Sequence, residues 1–191
     1  MRLGCGARFL DALPVRQFIR RETGWMERYV ENGAYVELPV EYDLPDDPVG
    51  SVREVNEEAL AFVRALAARG GIGLFIDYGP MQSAPGESVQ AIQDGKYADP
   101  LADPGKADIT AHVDFAALAR VAHAQGPVKQ NAFLTALGLY QRSDALAQKN
   151  PHKAEDLKLA VQRLTAPEAM GSLFKVLAIC PENFPTLPGF A

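Results

Sequence analysis

Residues 51–79 read SVREVNEEALAFVRALAARGGIGLFIDYG, and their pattern decides the fold. Ser51 and Glu54 have the S-x-x-E spacing of a capping box, in which hydroxyl and carboxylate each accept a free N–H at a helix start. The spacing predicts a helix over 52–69, with Val55, Ala59, Phe62, Val63 and Leu66 forming one apolar stripe. Gly70-Gly71 stops it, because glycine accepts the left-handed backbone at a helix end. Ile72 to Ile76 is then a short apolar run bounded by glycines, as in a strand buried on both faces inside a parallel sheet. Helix, glycine pair, buried strand and a polar Asp77-Tyr78-Gly79 make an α/β unit. Ligands of such sheets bind beyond the carboxyl ends of the strands, where Asp77 falls. The plainer role for Asp77 is a turn residue accepting backbone N–H bonds.

Working towards the N-terminus, VRQFIRR, Glu22-Thr23-Gly24 and WMERYV predict a β-hairpin over 15–30, with Gly24 in its turn. AYVELPV at 34–40 is a further extended piece, and the acidic, proline-rich 41–50 is an exposed loop. Towards the C-terminus, residues 80–113 carry turn formers and little periodicity, so a long loop is expected. Asp114 then caps a helix running to about Gln125, with Gly126 as its stop. A helix near 130–137 ends at Gly138, and Asn150-Pro151 opens another. Thr165-x-x-Glu168 repeats the capping-box spacing, and SLFKVLAIC at 172–180 is a second apolar strand. The tail PENFPTLPGFA is expected on the surface.

The composition of the 191 residues is that of a globular domain: 48% hydrophobic and 23% charged. No run of about 18 apolar residues occurs, so no transmembrane helix is expected. A net charge of −5 argues against a general nucleic-acid binder. Cys5 and Cys180 form neither a zinc pattern nor a disulfide framework. With no signal or transit pattern, a cytoplasmic location is the expectation.

Two groups besides Asp77 could carry chemistry. DITAHVDF places His112 within a few residues of Asp108 and Asp114, a spacing open to a metal site or an acid/base pair. Against that, Asp114 already suits a helix cap. Asp99-Pro100 and Asp103-Pro104-Gly105 are turn formers by chemistry. His123 and His152 are expected on helix surfaces, and Trp25 in hairpin packing. No G-x-G-x-x-G, P-loop, G-x-S-x-G or H-E-x-x-H motif occurs.

Several segments together resemble one family, the MidA-type S-adenosylmethionine-dependent methyltransferases, which includes a mitochondrial protein-arginine methyltransferase that helps assemble respiratory complex I. They are FLDALPVRQF (9–18), GWMERYV (24–30), LFIDYG (74–79), the long VQAIQDGKYADPLADPGKADITAHVDF (89–115), NAFLTALG (131–138) and MGSLFKVLAI (170–179). The 89–115 match is the most specific. Where the family has Asn-Glu-Phe before the Asp-Ala-Leu-Pro motif, this chain has Ala7, Arg8 and Phe9. The family's glycine-rich cofactor loop has no counterpart here.

The resemblance implies the C-terminal part of a Rossmann-like α/β methyltransferase sheet, with a β-hairpin insertion at 15–40 and a helical cap. It implies S-adenosylmethionine as cofactor and a protein side chain, arginine, as acceptor, with a complex I subunit among candidate substrates. Asp77, Asp108, His112 and Asp114 fall on the acceptor side, and Asp11 in the cofactor cleft. Without the glycine loop, the chain alone is expected to be inactive. Two other readings are a non-catalytic interaction module and a metal-dependent hydrolase using Asp77, Asp99, Asp108, His112 and Asp114.

Overall fold

The computed structural model describes residues 3–7 and 9–191; Arg8, one of the positions departing from the family motif, lies outside them. Among the described residues, three sheets and five α-helices make a mixed α/β fold. The main sheet has the order β1-β6-β11-β10. It is built from β1 (Leu3–Ala7), β6 (Ile72–Tyr78), β11 (Phe174–Ile179) and β10 (Ala124–Lys129). β1 runs parallel to β6, and the other pairs are antiparallel. The apolar run 72–76 is therefore an interior strand, as its sequence requires, but with one antiparallel neighbour. β1 was not legible in the sequence.

The second sheet has the order β4-β3-β2-β5. β2 (Arg16–Arg21), β3 (Gly24–Glu31) and β4 (Ala34–Pro39) are the expected hairpin and its extension. Asn32 and Gly33 both take positive φ between β3 and β4, as a two-residue type I′ turn requires. β5 (Val52–Val55) corrects the helix expected from residue 52. It pairs antiparallel with β2, from Arg16↔Val55 to Ile19↔Val52, so these residues gain ladder bonds that a helix start would not supply. Ser51 and Glu54 form no capping box.

The helix α1 (Glu57–Ala68) starts one turn later, capped by Asn56, whose side-chain oxygen accepts from the Ala59 N–H at 2.8 Å. Its Nδ2 also donates to the Leu10 carbonyl at 3.2 Å, tying the helix start to the 10–13 turn. Replacing Asn56 by Ala should cost about 1–2 kcal/mol, read as a lower urea midpoint with an unchanged slope. Gly70, at φ +64°, ends the helix turn as expected.

The stretch 80–113 is not one loop. It holds a three-stranded sheet, β8-β7-β9, from β7 (Gln90–Gln93), β8 (Lys96–Ala98) and β9 (Asp108–Thr110). Asp94-Gly95, both at positive φ, close the β7–β8 hairpin. Asp-Gly is a dipeptide that a two-residue hairpin turn with positive φ at both positions favours.

The helix after Asp114 is short, α2 (Phe115–Arg120), and does not reach Gln125. Residues 124–129 leave it to pair with β11, and Gly126 (φ +92°) lies inside β10 instead of ending a helix. Pro127 is tolerated because β10 is an edge strand. α3 (Gln130–Ala136) ends before Gly138 as expected. α4 (Leu139–Lys149) was not anticipated; it buries no residue fully.

Asn150 closes α4 instead of capping the next helix with its side chain. Its amide donates back to the Leu146 carbonyl at 3.2 Å, and a single 3-10 turn, Pro151–Lys153, leads into α5 (Ala154–Thr165). Thr165 likewise makes no capping box: its hydroxyl donates to the Val161 carbonyl at 2.8 Å, and a π turn follows at Pro167–Gly171. The core lies between α1, α2 and one face of the main sheet, where Leu10, Val63, Phe75, Phe115, Leu118 and Leu177 are buried. No helix among the described residues is long and apolar enough to cross a membrane.

Candidate functional site

The carboxyl end of β6 gathers the polar residues that matter. Asp77 is the penultimate residue of the strand and is 1% exposed, so its carboxylate is held inside the protein. Its oxygens accept from the Asp11 N–H at 3.3 Å and from the Tyr78 N–H at 3.0 Å. Burial is the main force raising its pKa, the Asp11 carboxylate adds to it, and the backbone donors oppose; the result is about 6. Asp77 is thus neither a solvated turn residue nor directly accessible.

Tyr78 links this pair to the 90–110 sheet. Its hydroxyl interacts with Thr110, Gln90 and Asp11, and burial raises its pKa. Its ring meets the His112 ring edge-on at 5.4 Å. The Asp11 main chain is fixed to the same layer, since its carbonyl accepts from the Ala111 N–H at 2.9 Å.

His112 is exposed at one edge, but its partial burial lowers its pKa, with Glu54 acting upward and Lys175 downward. Its backbone N–H donates to Ser88 Oγ at 2.8 Å. Asp114 does cap α2, accepting from the Ala117 N–H at 2.8 Å. Asp108 is exposed on β9, opposite Ile92. Asp99 accepts from the Leu101 N–H at 2.9 Å, which is turn chemistry. Among the described residues no three His, Cys, Asp or Glu side chains group so as to hold a metal ion, so the five-residue hydrolase cluster is not assembled. His123 lies between α2 and β10, not on a helix; its Nδ1 is 3.2 Å from the Cys180 carbonyl oxygen.

Two residues were missed in the sequence. Glu54, read as half of a capping box, instead pins the strap before β7. It accepts from Gln17 Nε2 (2.8 Å), the Ser88 N–H (3.0 Å), the Val89 N–H (3.2 Å) and the Ser88 hydroxyl. Lys175, directly across the β6–β11 ladder from Asp77, is buried and donates to the carbonyls of Ser172 and Leu173 at 2.7 and 2.9 Å. Burial and Lys129 lower its pKa.

A cleft of about 410 Å³ opens beside this layer. It lies between the second sheet and the 90–110 sheet, with Asp11 and Thr110 among its lining and Val30, Tyr35, Val89 and Ile109 on its walls.

Residues 5–133 match the family model described as "Putative S-adenosyl-L-methionine-dependent methyltransferase". The chain belongs to this methyltransferase family. A relative in Homo sapiens named "Protein arginine methyltransferase NDUFAF7, mitochondrial" is 31% identical over 92% of the chain and 44% of its own length. The Drosophila melanogaster homologue is 33% identical over 91% of the chain and 46% of its own length. The chain spans about half the length of the curated relatives it matches. Among solved structures, a protein from Burkholderia thailandensis bound to S-adenosyl-homocysteine superposes with TM-score 0.85 and 28% identity. That match covers 99% of this chain and 56% of the other. The MidA-type methyltransferase resemblance is therefore borne out, and the mixed α/β fold is shared by a protein that holds the product form of the cofactor.

Proposed function

We propose that this chain forms the acceptor side of a methyltransferase that transfers methyl from S-adenosylmethionine to an arginine side chain of a protein. The names of the curated relatives support the reaction class. The observation that carries the placement is the buried contact of Asp77 with the Asp11 main chain at the carboxyl end of β6. In this reading the 191 residues are the C-terminal part of a Rossmann-like sheet, with the 15–40 hairpin as an insertion and α3–α5 as the helical cap. A subunit of respiratory complex I is the protein substrate we propose.

The residues present fit the cofactor only in part. A cofactor of this kind needs backbone brought close to it, usually through glycine. Gly79 follows β6, but a Cβ there would lie 2.1 Å from the Val113 carbonyl oxygen, so the protein itself fills that space. The elements that grip the cofactor are then supplied by the remainder of the family fold, and the chain alone is inactive. Asp11 contributes the cleft edge nearest the cofactor. His112 and Asp108, both exposed, can reach an acceptor, whereas Asp77 and Asp114 act as positioning residues through Asp11 and α2.

Calorimetry with S-adenosyl-homocysteine tests this division. The chain alone should give little or no heat, and a chimera joining it to the remaining part of the Burkholderia thailandensis relative should bind at micromolar concentration. Micromolar binding by the chain alone would overturn the division. No binding by either would overturn the cofactor reading.

A further inference from the structure

The wall of the cleft beside Asp11 already holds a guanidinium. Arg28, on β3, has its Cζ 5.0 Å above the Tyr35 ring. It donates to Gln17 Oε1 at 3.2 Å and pairs with Glu87, which is half exposed on the strap before β7. Gln17, Arg28 and Tyr35 all line the same cleft. An aromatic face, a carboxylate and an amide oxygen around one planar cation are the chemistry that selects arginine over lysine. The hold is weak, because ion pairs with an exposed partner and single ring contacts contribute little in water.

We propose that Tyr35, Glu87 and Gln17 form the seat for the acceptor arginine, and that Arg28 occupies it as an internal stand-in which the acceptor displaces. This rests on the arginine reading above. Its apolar neighbours suit such a guest: Val30, Val89 and Ile109 can cover the methylene stem while the guanidinium replaces that of Arg28. Gln17 and Tyr35 line the cleft that Asp11 lines, while Glu87 lines a second cavity with His112, so an arginine held among the three is presented to the layer containing His112 and Tyr78. Arg28 then serves as a filter: only a guanidinium that matches its three contacts can take its place.

The test is binding, measured without cofactor, of a Gly-Arg-Gly amide to the full chain by NMR titration, with the citrulline and lysine peptides as comparisons. Removing the stand-in by Arg28→Ala should tighten the arginine peptide about tenfold, with the shifts centred on Val30, Val89 and Ile109. Tyr35→Ala in that background should return the affinity to that of the parent or below. Arg28→Lys keeps the charge and the strand, and should give an intermediate gain if Arg28→Ala fails to fold. Unchanged or weaker binding in the folded Arg28 variants, equal binding of citrulline, or indifference to Tyr35 would overturn the seat. If the seat fails while arginine methylation is observed, the function stands with another docking site. If the peptide binds as expected while no arginine is methylated, the seat stands and the reaction class falls.

Discussion

Gly79→Ala should destabilise the protein by about 3 kcal/mol or more, a large effect for a single methyl group. The added Cβ would lie 2.1 Å from the Val113 carbonyl oxygen and 2.8 Å from the Val113 nitrogen. Both are main-chain atoms in a segment already fixed, since the Val113 N–H donates to the Tyr78 carbonyl at 2.9 Å. A side chain could rotate away from the intruder, but this backbone cannot move without breaking that bond and shifting His112 and Asp114 on either side. Gly86 gives the contrast. It lies on the strap before β7, and a Cβ there meets nothing within 4 Å. Gly86→Ala should change stability by less than about 0.5 kcal/mol. Chemical denaturation of both variants checks the pair, and equal stability for the two would contradict the close packing of β6 on the 111–114 segment.

Asp77→Asn should make the protein more stable at pH 8, by about 2–3 kcal/mol, and leave it nearly unchanged at pH 4. The sign follows from the direction of the shift. The folded state raises the Asp77 pKa to about 6, above the value of 3.8 for a free aspartate. The folded protein therefore binds this proton more tightly than the unfolded chain. Stability is highest while the carboxyl is protonated, falls as pH rises from about 4 to about 6, and stays at the lower level above that. Asparagine resembles the protonated carboxyl: it carries no buried charge and keeps one carbonyl oxygen, whereas the carboxylate accepts from the Asp11 N–H on one oxygen and from the Tyr78 N–H on the other, and the value of those two bonds is already set against burial in the raised pKa. The measurement is the melting temperature of both proteins from pH 4 to pH 8. A pH-independent difference, or destabilisation by asparagine at pH 8, would contradict a burial-raised pKa.

The parts legible in sequence were those fixed by local rules. The apolar 72–76 run between glycines, the β2–β3 hairpin, the helix stop at Gly70 and the Asp114 cap each follow from a few neighbouring residues. What failed depended on distant partners. Val52-Arg53-Glu54-Val55 suits a helix start by spacing, but β2 offers it a ladder, and Asn56 is equally able to cap. Glu54 could not be recognised as an anchor because its partners, Gln17, Ser88 and Val89, lie 34 to 37 residues away in the chain. The 124–129 strand depended on β11, some fifty residues later, and no local pattern announces that pairing. For the site, Asp77 was found by its place at a strand end. Its closeness to Asp11, across 66 residues, required the fold.

Methyl transfer itself tests the account most directly. The chain joined to the remaining part of the Burkholderia thailandensis relative should move a labelled methyl from S-adenosylmethionine onto a protein arginine, located on Nη by mass spectrometry. Replacing His112 and Asp108 together should reduce that rate at least tenfold without loss of S-adenosyl-homocysteine binding. Label on lysine, or no label from a chimera that binds S-adenosyl-homocysteine at micromolar concentration, would contradict it.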